Sequence, residues 1–252
     1  MASPAATVVV TDFDGTLSPI VVDPAAARPL PGAPALLHGL AARYRRVAVV
    51  SGRPVAFLAE RLGAAARPSS RLVLSGLYGL ERWEAGRVVE APEAAAWRPV
   101  VAGAVRAARA ADLGGADVED KGLALTLHVR AVPEAAPVAE QWARNEAART
   151  GLVVHGARRS VELRPPLEVD KGRVVDDLVA GAGAACFLGD DAGDLPAFDA
   201  LDRLAAQGGA STVRIAVRSS ESPPELLARA DVVVDGPGGA LGLLHRLLDA
   251  GR

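Results

Sequence analysis

The chain has 252 residues, a mass of 25.8 kDa, 50% hydrophobic residues and a formal net charge of −2. This length favours one or two domains with a core large enough for a buried site, and the hydrophobic content excludes a disordered chain. The charge predicts no nucleic-acid partner, and no apolar run approaches the roughly 18 residues of a membrane span, so we predict no membrane association.

Short apolar runs alternate with helical patterns over most of the chain. The predicted strands are Thr7–Thr11, Val47–Val50, Leu72–Leu74, Cys186–Leu188, Val213–Val217 and Val232–Val234, and the predicted helices are Pro34–Tyr44, Pro54–Leu62, Gly172–Val179 and Leu241–Leu248. Continuous apolar strands that alternate with helices are typical of a doubly wound α/β fold with a parallel sheet. The glycine-rich segment Asp235–Gly239 lacks a following lysine and is predicted to be a turn.

The middle of the chain has a different pattern. Its predicted elements are a helix over Ala94–Ala111, a strand over Leu123–Arg130, a helix over Glu134–Thr150 and two strands over Leu152–His155 and Ser160–Arg164. Their alternating polar and apolar positions predict a small α+β unit with one solvated sheet face. We therefore predict a core domain formed by residues 1–92 and 167–252 and an inserted domain formed by residues 93–166.

Two aspartates directly follow the first predicted strand, in the segment Asp12–Leu17 with the sequence DFDGTL. Open α/β sheets bind ligands at the carboxyl ends of their strands, so both carboxylates are expected in that crevice. Two acids in one crevice resist joint ionisation unless a cation is present, and oxygen ligands beside a phosphate suit Mg²⁺. The pattern favours a catalytic metal site over a pair of turn or capping aspartates.

Two further motifs carry groups that can hold phosphate. Ser51–Arg53 follows the second strand, and its hydroxyl and tight backbone can bind phosphate oxygens, although the same residues suit an ordinary helix N-cap. Asp170–Gly172 opens a helix, where a lysine opposes the helix dipole. An anion held at the helix end would explain Lys171, and the alternative is a surface lysine.

A second acidic motif, Gly189–Asp194 with the sequence GDDAGD, follows the strand Cys186–Leu188. It adds carboxylates to the same sheet edge, and one of them can complete an oxygen cage with Asp12. An isolated motif of this kind would be an acidic loop. Four motifs of suitable residue types at strand ends favour a joint phosphate and metal site.

Lysine and cysteine are both rare. Only two of the 28 basic residues are lysine, Lys121 and Lys171. Either these positions need a compact ammonium group or the two lysines are there by chance. The single cysteine, Cys186, excludes an intrachain disulfide and a multi-cysteine zinc site. Because Met1–Asp12 also lacks the pattern of a secretory signal, we predict a cytoplasmic protein. The sequence predicts no oligomeric state.

The order of Asp12-x-Asp14-Gly-Thr, Ser51, Lys171 and Gly189-Asp190-Asp191…Asp194 resembles the haloacid dehalogenase superfamily of phosphotransferases. Further segments resemble the trehalose-6-phosphate phosphatases within it: Ser51–Arg53, Gly76–Glu81, Val118–Gly122, His128–Arg130 and Val161–Gly172. The resemblance implies a haloacid dehalogenase-like Rossmannoid core with a parallel sheet and an inserted α+β cap domain of the C2 type.

The same resemblance implies Mg²⁺-dependent hydrolysis of a small sugar phosphate, trehalose 6-phosphate, through an aspartyl-phosphate. Asp12 would be the nucleophile and Asp14 the general acid and base. Ser51 and Lys171 would hold phosphoryl oxygens. The implied metal site comprises Asp12, Asp190, the backbone carbonyl of Asp14 and, in or near the ligand shell, Asp191 and Asp194. The implied substrate-binding residues are Arg53, Glu119, Lys121, Arg130 and Glu162, the last four in a cap that closes over the sugar. The alternative for those four charges is a set of ion pairs on the surface of the strands.

The chain departs from the family pattern at several positions. Gly193 replaces a threonine, Leu195–Pro196 replaces Glu-Asp, Tyr78 replaces a histidine and Val129 replaces a tyrosine. These changes leave two alternatives open. One is a phosphatase of the same architecture for another sugar phosphate, such as a glucosyl- or mannosyl-glycerate phosphate. The other is a regulator that binds a sugar phosphate without catalysis, which the presence of both Asp12 and Asp14 disfavours.

Overall fold

The computed structural model describes residues 3–65, 67, 70–157, 159–220 and 222–250. The strands are β1 (Thr7–Thr11), β2 (Arg46–Val50), β3 (Leu72–Gly76), β4 (Glu81–Glu84), β5 (Arg87–Glu90), β6 (Asp117–Asp120), β7 (Leu125–His128), β8 (Val153–Ala157), β9 (Ser160–Arg164), β10 (Ala184–Gly189), β11 (Ser211–Arg218) and β12 (Val232–Asp235). The α-helices are α1 (Ala33–Ala41), α2 (Val55–Arg61), α3 (Arg98–Ala110), α4 (Ala136–Thr150), α5 (Lys171–Val179), α6 (Leu195–Ala206), α7 (Pro224–Arg229) and α8 (Gly236–Ala250).

The chain divides into two units, which we call the core unit (Met1–Val89 and Val169–Arg252) and the inserted unit (Glu90–Glu168). An eight-stranded sheet has the order β12-β11-β10-β1-β2-β3-β4-β5. The pairs from β12 to β3 are parallel, whereas β4 runs antiparallel to β3. From β1 the chain adds β2 and β3 on one side, and β10, β11 and β12 later extend the other side. The strand order therefore reverses between β1 and β10, which is where such sheets bind ligands.

Both faces of the parallel sheet are covered, because successive side chains of each strand enter opposite apolar layers. In β1, Val9 packs in one layer, together with Phe13 and residues of α1 and α2. Val8 and Val10 pack in the other layer, together with residues of α5 and α6. This two-sided burial explains why β1 is a continuous apolar run.

The inserted unit has a separate antiparallel sheet in the order β6-β7-β9-β8. The leucines and valines of β7 and β9 alternate onto one face and pack with apolar residues of α3 and α4. The intervening residues share the opposite face, where Glu119, Thr126 and Glu162 are aligned in register across β6, β7 and β9. The alternation of the sequence thus produces one apolar and one polar face.

The six predicted core strands and the predicted parallel sheet are confirmed. The sequence interpretation did not include β4, β5, β6, α6 or α7. The predicted turn at Asp235–Gly239 is wrong, because α8 begins at Gly236. Gly236 adopts a left-handed φ of +58°. Pro237 is tolerated in the first helical turn, because an N–H at that position would have no acceptor within the helix. Among the described residues, no helix is both long and apolar enough to cross a membrane.

Candidate active site

Three acidic side chains meet at the carboxyl ends of the neighbouring strands β1 and β10. Asp12 follows β1, and its amide donates a hydrogen bond to the Leu188 carbonyl of β10 at 2.8 Å. Asp190 follows β10, and Asp194 lies one helical turn further along the chain. Each of the three carboxylates has an oxygen within 4.8 Å of the others, and all three residues are buried.

Lys171 is buried among these carboxylates. It is the first residue of α5, whose N-terminus is capped by the Asp170 carboxylate through the amide of Arg173 at 2.8 Å. Its Nζ lies 2.9 Å from Asp12 Oδ1 and 2.6 Å from Asp194 Oδ1, and the residue is 4% exposed. The structure therefore excludes the surface-lysine alternative and brings the second acidic motif to the helix that carries Lys171.

Both carboxylate oxygens of Asp194 are engaged by the protein. Oδ1 accepts a hydrogen bond from Lys171, while Oδ2 accepts from the amides of Asp190 at 2.8 Å and Asp191 at 3.1 Å. A Cβ atom at Gly189 would come 2.3 Å from Asp194 Cγ, so only glycine allows this approach. Asp194 thus fixes the loop that presents Asp190, whereas Asp191 is exposed and caps the short helix that follows.

The Asp190 carboxylate packs against the backbone of Gly15. A Cβ atom at Gly15 would lie 2.0 Å from Asp190 Oδ2, and the residue adopts a φ of +74°. Thr16 Oγ1 donates to Asp190 Oδ1 at 3.4 Å. Sequence reasoning named the Gly-Thr pair as part of the first motif but assigned it no contact. Its contact with Asp190 joins the first acidic motif to the second.

The negative charge of this cluster exceeds what Lys171 compensates. Burial raises the pKa of Asp190 to about 9, and the charges of Asp12 and Asp194 add to the effect. Burial also raises the pKa of Asp194 to about 6 and that of Asp12 well above its ordinary value, although Lys171 opposes both shifts. Burial disfavours the Lys171 ammonium, but Asp12 and Asp194 outweigh burial and raise the pKa of Lys171.

The donor set fits a divalent cation. Hard cations such as Mg²⁺ bind carboxylate and carbonyl oxygens, and an added positive charge would allow the clustered carboxylates to ionise together. Asp12 and Asp190 have oxygens that are not held by Lys171 or by backbone amides, so these two residues are the better-placed ligands. Asp194 would support such a metal site chiefly by holding the loop that carries Asp190.

The Asp14 carboxylate lies outside this cluster and is paired with Arg53. Arg53 Nε donates to Asp14 Oδ2 at 2.8 Å, and Nη2 donates to Oδ1 at 2.9 Å. Ser51, 2% exposed, accepts a hydrogen bond on Oγ from the Arg53 amide at 3.2 Å. The Tyr78 hydroxyl lies against Gly52, where a Cβ atom would be 2.6 Å away. The structure therefore places the Ser51–Arg53 motif beside the first acidic motif.

In the inserted unit, Glu162 is the centre of a polar network on the sheet face. Its Oε1 accepts from Lys121 Nζ at 2.8 Å and from Thr126 Oγ1 at 3.0 Å, and its Oε2 accepts from Arg164 Nε at 2.6 Å. Glu162 is 4% exposed. Burial alone would raise its pKa, but Lys121 and Arg164 outweigh burial and lower the pKa to about 2.

Glu119 extends this network towards the edge of the sheet. Its Oε2 lies 2.7 Å from His128 Nε2 and 3.8 Å from Lys121 Nζ. Arg130 lies two residues beyond β7 and is half-buried. Sequence reasoning assigned no role to Thr126, His128 or Arg164. Thr126 and His128 are two residues apart on β7, and Arg164 is two residues after Glu162 on β9. Residues two apart on a strand share a face, and this spacing is the signal that could have found them.

Comparison with known proteins agrees with this architecture. A family profile described as trehalose-phosphatase matches residues 10–232. A trehalose-phosphate phosphatase of Mycobacterium avium is 37% identical over 255 residues, which cover 94% of this chain and 61% of that protein. The chain thus spans about three fifths of the length of this curated relative.

Two solved structures share the fold. The C-terminal domain of trehalose-6-phosphate phosphatase from C. albicans has a TM-score of 0.76 at 24% identity, covering 96% of this chain and 92% of that one. A haloacid dehalogenase-like hydrolase from Bacteroides thetaiotaomicron has a TM-score of 0.62 at 14% identity, covering 96% and 99%. The predicted haloacid dehalogenase-like fold is confirmed. On the match over residues 10–232, the chain belongs to the trehalose-phosphatase family.

Proposed function

We propose that this protein is a Mg²⁺-dependent phosphatase that hydrolyses trehalose 6-phosphate to trehalose and phosphate. The observation that carries the proposal is the convergence of Asp12, Asp190, Asp194 and Lys171 in one buried cluster at the strand-order reversal of the sheet. Membership of the trehalose-phosphatase family supports the choice of substrate. We place the reaction in the cytoplasm, because a chain with a single cysteine suits a reducing compartment.

Asp12 is the nucleophile in this proposal. Its carboxylate oxygen forms a bond to phosphorus while the bond to the sugar oxygen breaks, which gives an aspartyl-phosphate and divides one difficult displacement into two steps. Lys171 lies 2.9 Å from Asp12 Oδ1, so its ammonium can orient the nucleophile and attract the phosphoryl oxygens. Ser51, beside the same loop, can donate its hydroxyl to another phosphoryl oxygen.

Asp14 transfers the protons. Its carboxyl group gives a proton to the departing sugar oxygen and then accepts one from the water that attacks the aspartyl-phosphate. Its side chain is 35% exposed, so it can meet both the leaving group and water. The bidentate contact with Arg53 holds the carboxylate in one orientation.

Asp12, Asp190 and the Asp14 carbonyl would hold Mg²⁺, with Asp194 fixing the Asp190 loop and Asp191 at the exposed margin. When bound, the ion supplies charge neutralisation between the Asp12 carboxylate and the phosphate dianion. The raised pKa of Asp190, to about 9, supports this assignment, because the cluster lacks the positive charge needed to ionise fully.

The inserted unit supplies groups that recognise sugar hydroxyls. Glu119, Lys121, Arg130 and Glu162 are the proposed contacts, and Arg53 is a further one on the core unit. Because Glu162 is already held by Lys121, Thr126 and Arg164, the network is ordered before substrate binds. A site that hydrogen-bonds hydroxyls discriminates strongly against analogues that leave its polar groups unpaired.

Phosphate release from a panel of sugar phosphates tests the proposal. The panel includes trehalose 6-phosphate, a glucosyl-glycerate phosphate, a mannosyl-glycerate phosphate and glucose 6-phosphate, each assayed with Mg²⁺ and with a chelator. We expect trehalose 6-phosphate to have the highest kcat/KM and the chelator to abolish turnover. Equal turnover of all members would contradict the substrate, and full activity with the chelator would contradict the metal.

Asp12→Asn tests the nucleophile. The amide cannot form the phosphoryl-enzyme bond, so kcat for trehalose 6-phosphate should fall at least about 10³-fold. Asp199→Asn is a matched control, because Asp199 is a half-exposed residue of α6 that pairs with Arg229 at the surface. Its kcat should stay within about twofold of the wild type. Comparable losses in both variants would contradict the assignment of Asp12.

A further inference from the structure

Phe57 of α2 contacts two residues that adjoin Asp14, one in the chain and one in space. Its ring packs edge-on against Phe13, with centroids 5.8 Å apart and an interplanar angle of 88°. Phe13 is fully buried and lies between Asp12 and Asp14 in the chain. On the other side, the guanidinium carbon of Arg53 lies 4.8 Å from the centre of the Phe57 ring. Phe57 therefore touches the residue before Asp14 and the side chain that binds Asp14.

Arg53 is held in a single geometry by these contacts. Two of its nitrogens donate to the two Asp14 oxygens, and Nη1 donates to the Pro24 carbonyl at 2.9 Å. Its side chain is only 11% exposed. A desolvated cation over an aromatic face is attracted more strongly than an exposed one, and the planar guanidinium fixes the direction of its donors. The Phe57 face thus sets the plane from which Arg53 reaches Asp14.

A second arginine holds the same ring from α2. Arg61, four residues after Phe57 and hence on the same helix face, has its guanidinium carbon 4.7 Å from the ring centre. It donates to the carbonyls of Ala25 at 3.0 Å and Ala27 at 3.1 Å. Arg53 and Arg61 together hold the segment Pro24–Ala27 against α2, and Phe57 is the apolar contact common to both.

We infer that Phe57 is a positioning residue for proton transfer by Asp14 and acts through Arg53. The inference rests on the proposed function, because only there does Asp14 act as acid and base. In the first step a proton leaves an Asp14 oxygen for the sugar oxygen, while the sugar oxygen–phosphorus bond breaks and the Asp12–phosphorus bond forms. Each Asp14 oxygen accepts one Arg53 N–H on one lone pair and can carry the proton on its other lone pair, so the plane of the Arg53 guanidinium sets the direction in which Asp14 presents the proton.

The choice of leaving group separates this role from general support of the fold. A sugar alkoxide must be protonated as it departs, whereas p-nitrophenolate leaves readily without a proton. The kcat/KM value covers only the steps up to release of the first product. Phe57→Leu should therefore lower kcat/KM about tenfold for trehalose 6-phosphate and less than about twofold for p-nitrophenyl phosphate. Phe57→Tyr keeps the ring and should restore both values to within about twofold.

Two controls make the test specific. Phe198→Leu removes the ring from another edge-on aromatic pair, with Phe187 at 6.3 Å in the opposite apolar layer, and should change both substrates by the same factor. In an Asp14→Asn background, Phe57→Leu should change kcat/KM for trehalose 6-phosphate by less than about twofold, because its effect passes through Asp14. Phe57→Met, whose unbranched side chain adapts to irregular space, replaces the leucine variant if that variant does not fold.

Equal losses on both substrates in Phe57→Leu, or a full tenfold loss in the Asp14→Asn background, would overturn the inference. A wild-type protein that releases phosphate from no sugar phosphate contradicts the proposed function instead. That outcome is seen before any variant is compared, so the two failures are distinguishable.

Discussion

The core unit and the inserted unit each bury one of the two lysines among carboxylates, but the charge balance is opposite. Lys171 faces Asp12 and Asp194 directly, with Asp190 in the same cluster, and the pKa values of all three acids are raised. In the inserted unit, Glu162 has Lys121 and Arg164 as partners, and its pKa is lowered to about 2.

The difference supports the role that we propose for each cluster. An excess of carboxylates in a buried crevice is stable only with a further cation, which suits a metal-assisted phosphoryl transfer. A buried glutamate with three donors is already compensated and rigid, which suits recognition of uncharged hydroxyls. Four substitutions, taken from the largest expected effect to the smallest, test this contrast.

Glu162→Gln should cause the largest loss of stability. The folded-state pKa of about 2 lies below the ordinary 4.5, so ionised Glu162 stabilises the fold above pH 4.5, and this contribution is lost as pH falls from 4.5 towards 2. We expect the variant to be roughly 3 kcal/mol less stable at pH 7, with the difference shrinking below pH 4.5. Urea unfolding of both proteins from pH 7 to pH 3 measures this change.

Glu140→Gln is the matched control for Glu162. Glu140 pairs with Arg144 on the surface of α4 in the same unit, and both side chains are at least half exposed. Exposed pairs of this kind contribute about 0.3–0.5 kcal/mol. If Glu162→Gln lowers the free energy of unfolding by no more than Glu140→Gln does, the buried network does not stabilise the inserted unit.

The two lysines should differ when each is replaced by arginine. Lys171 has carboxylate oxygens at 2.6 and 2.9 Å and is 4% exposed, so a guanidinium must displace Asp12, the proposed nucleophile, and kcat should fall at least about 10²-fold. Lys121→Arg should mainly raise KM, by about tenfold, because we propose that Lys121 contacts the sugar and not the reacting groups. Steady-state kinetics with trehalose 6-phosphate separate the two effects, and unchanged values in both variants would show that the ammonium groups are not required.

Asp190→Asn should have the smallest effect on stability but should abolish the response to metal. Without metal, Asp190 must take up a proton on folding because its pKa is raised to about 9. The amide avoids that cost, so Tm should rise by about 2–4 °C, the shift that 1 kcal/mol gives in a domain of this size. Added Mg²⁺ should raise the Tm of the wild type and leave the variant unchanged. Thermal unfolding with and without Mg²⁺ measures both, and a variant that still responds to Mg²⁺ would remove Asp190 from the metal site.

The sequence by itself determined the parallel sheet and the candidate residues at its edge. Asp12, Lys171 and Asp190 each stand next to a short apolar strand or at the start of a helix, and such local patterns place them at the carboxyl ends of the strands. The helix α8 was missed at its start because its glycines carry no hydrophobic periodicity.

Only the tertiary structure decided how these residues pair. Arg53 and Asp14 are 39 positions apart, and Thr126 and Glu162 are 36 apart, so no local pattern links them. Their contacts depend on the pairing of β1 with β2 for Asp14 and Arg53, and on the register of β7 with β9 for Thr126 and Glu162. The sequence determines which residues each strand presents, whereas their partners and charge balance are set when distant strands and helices bring them together and exclude water.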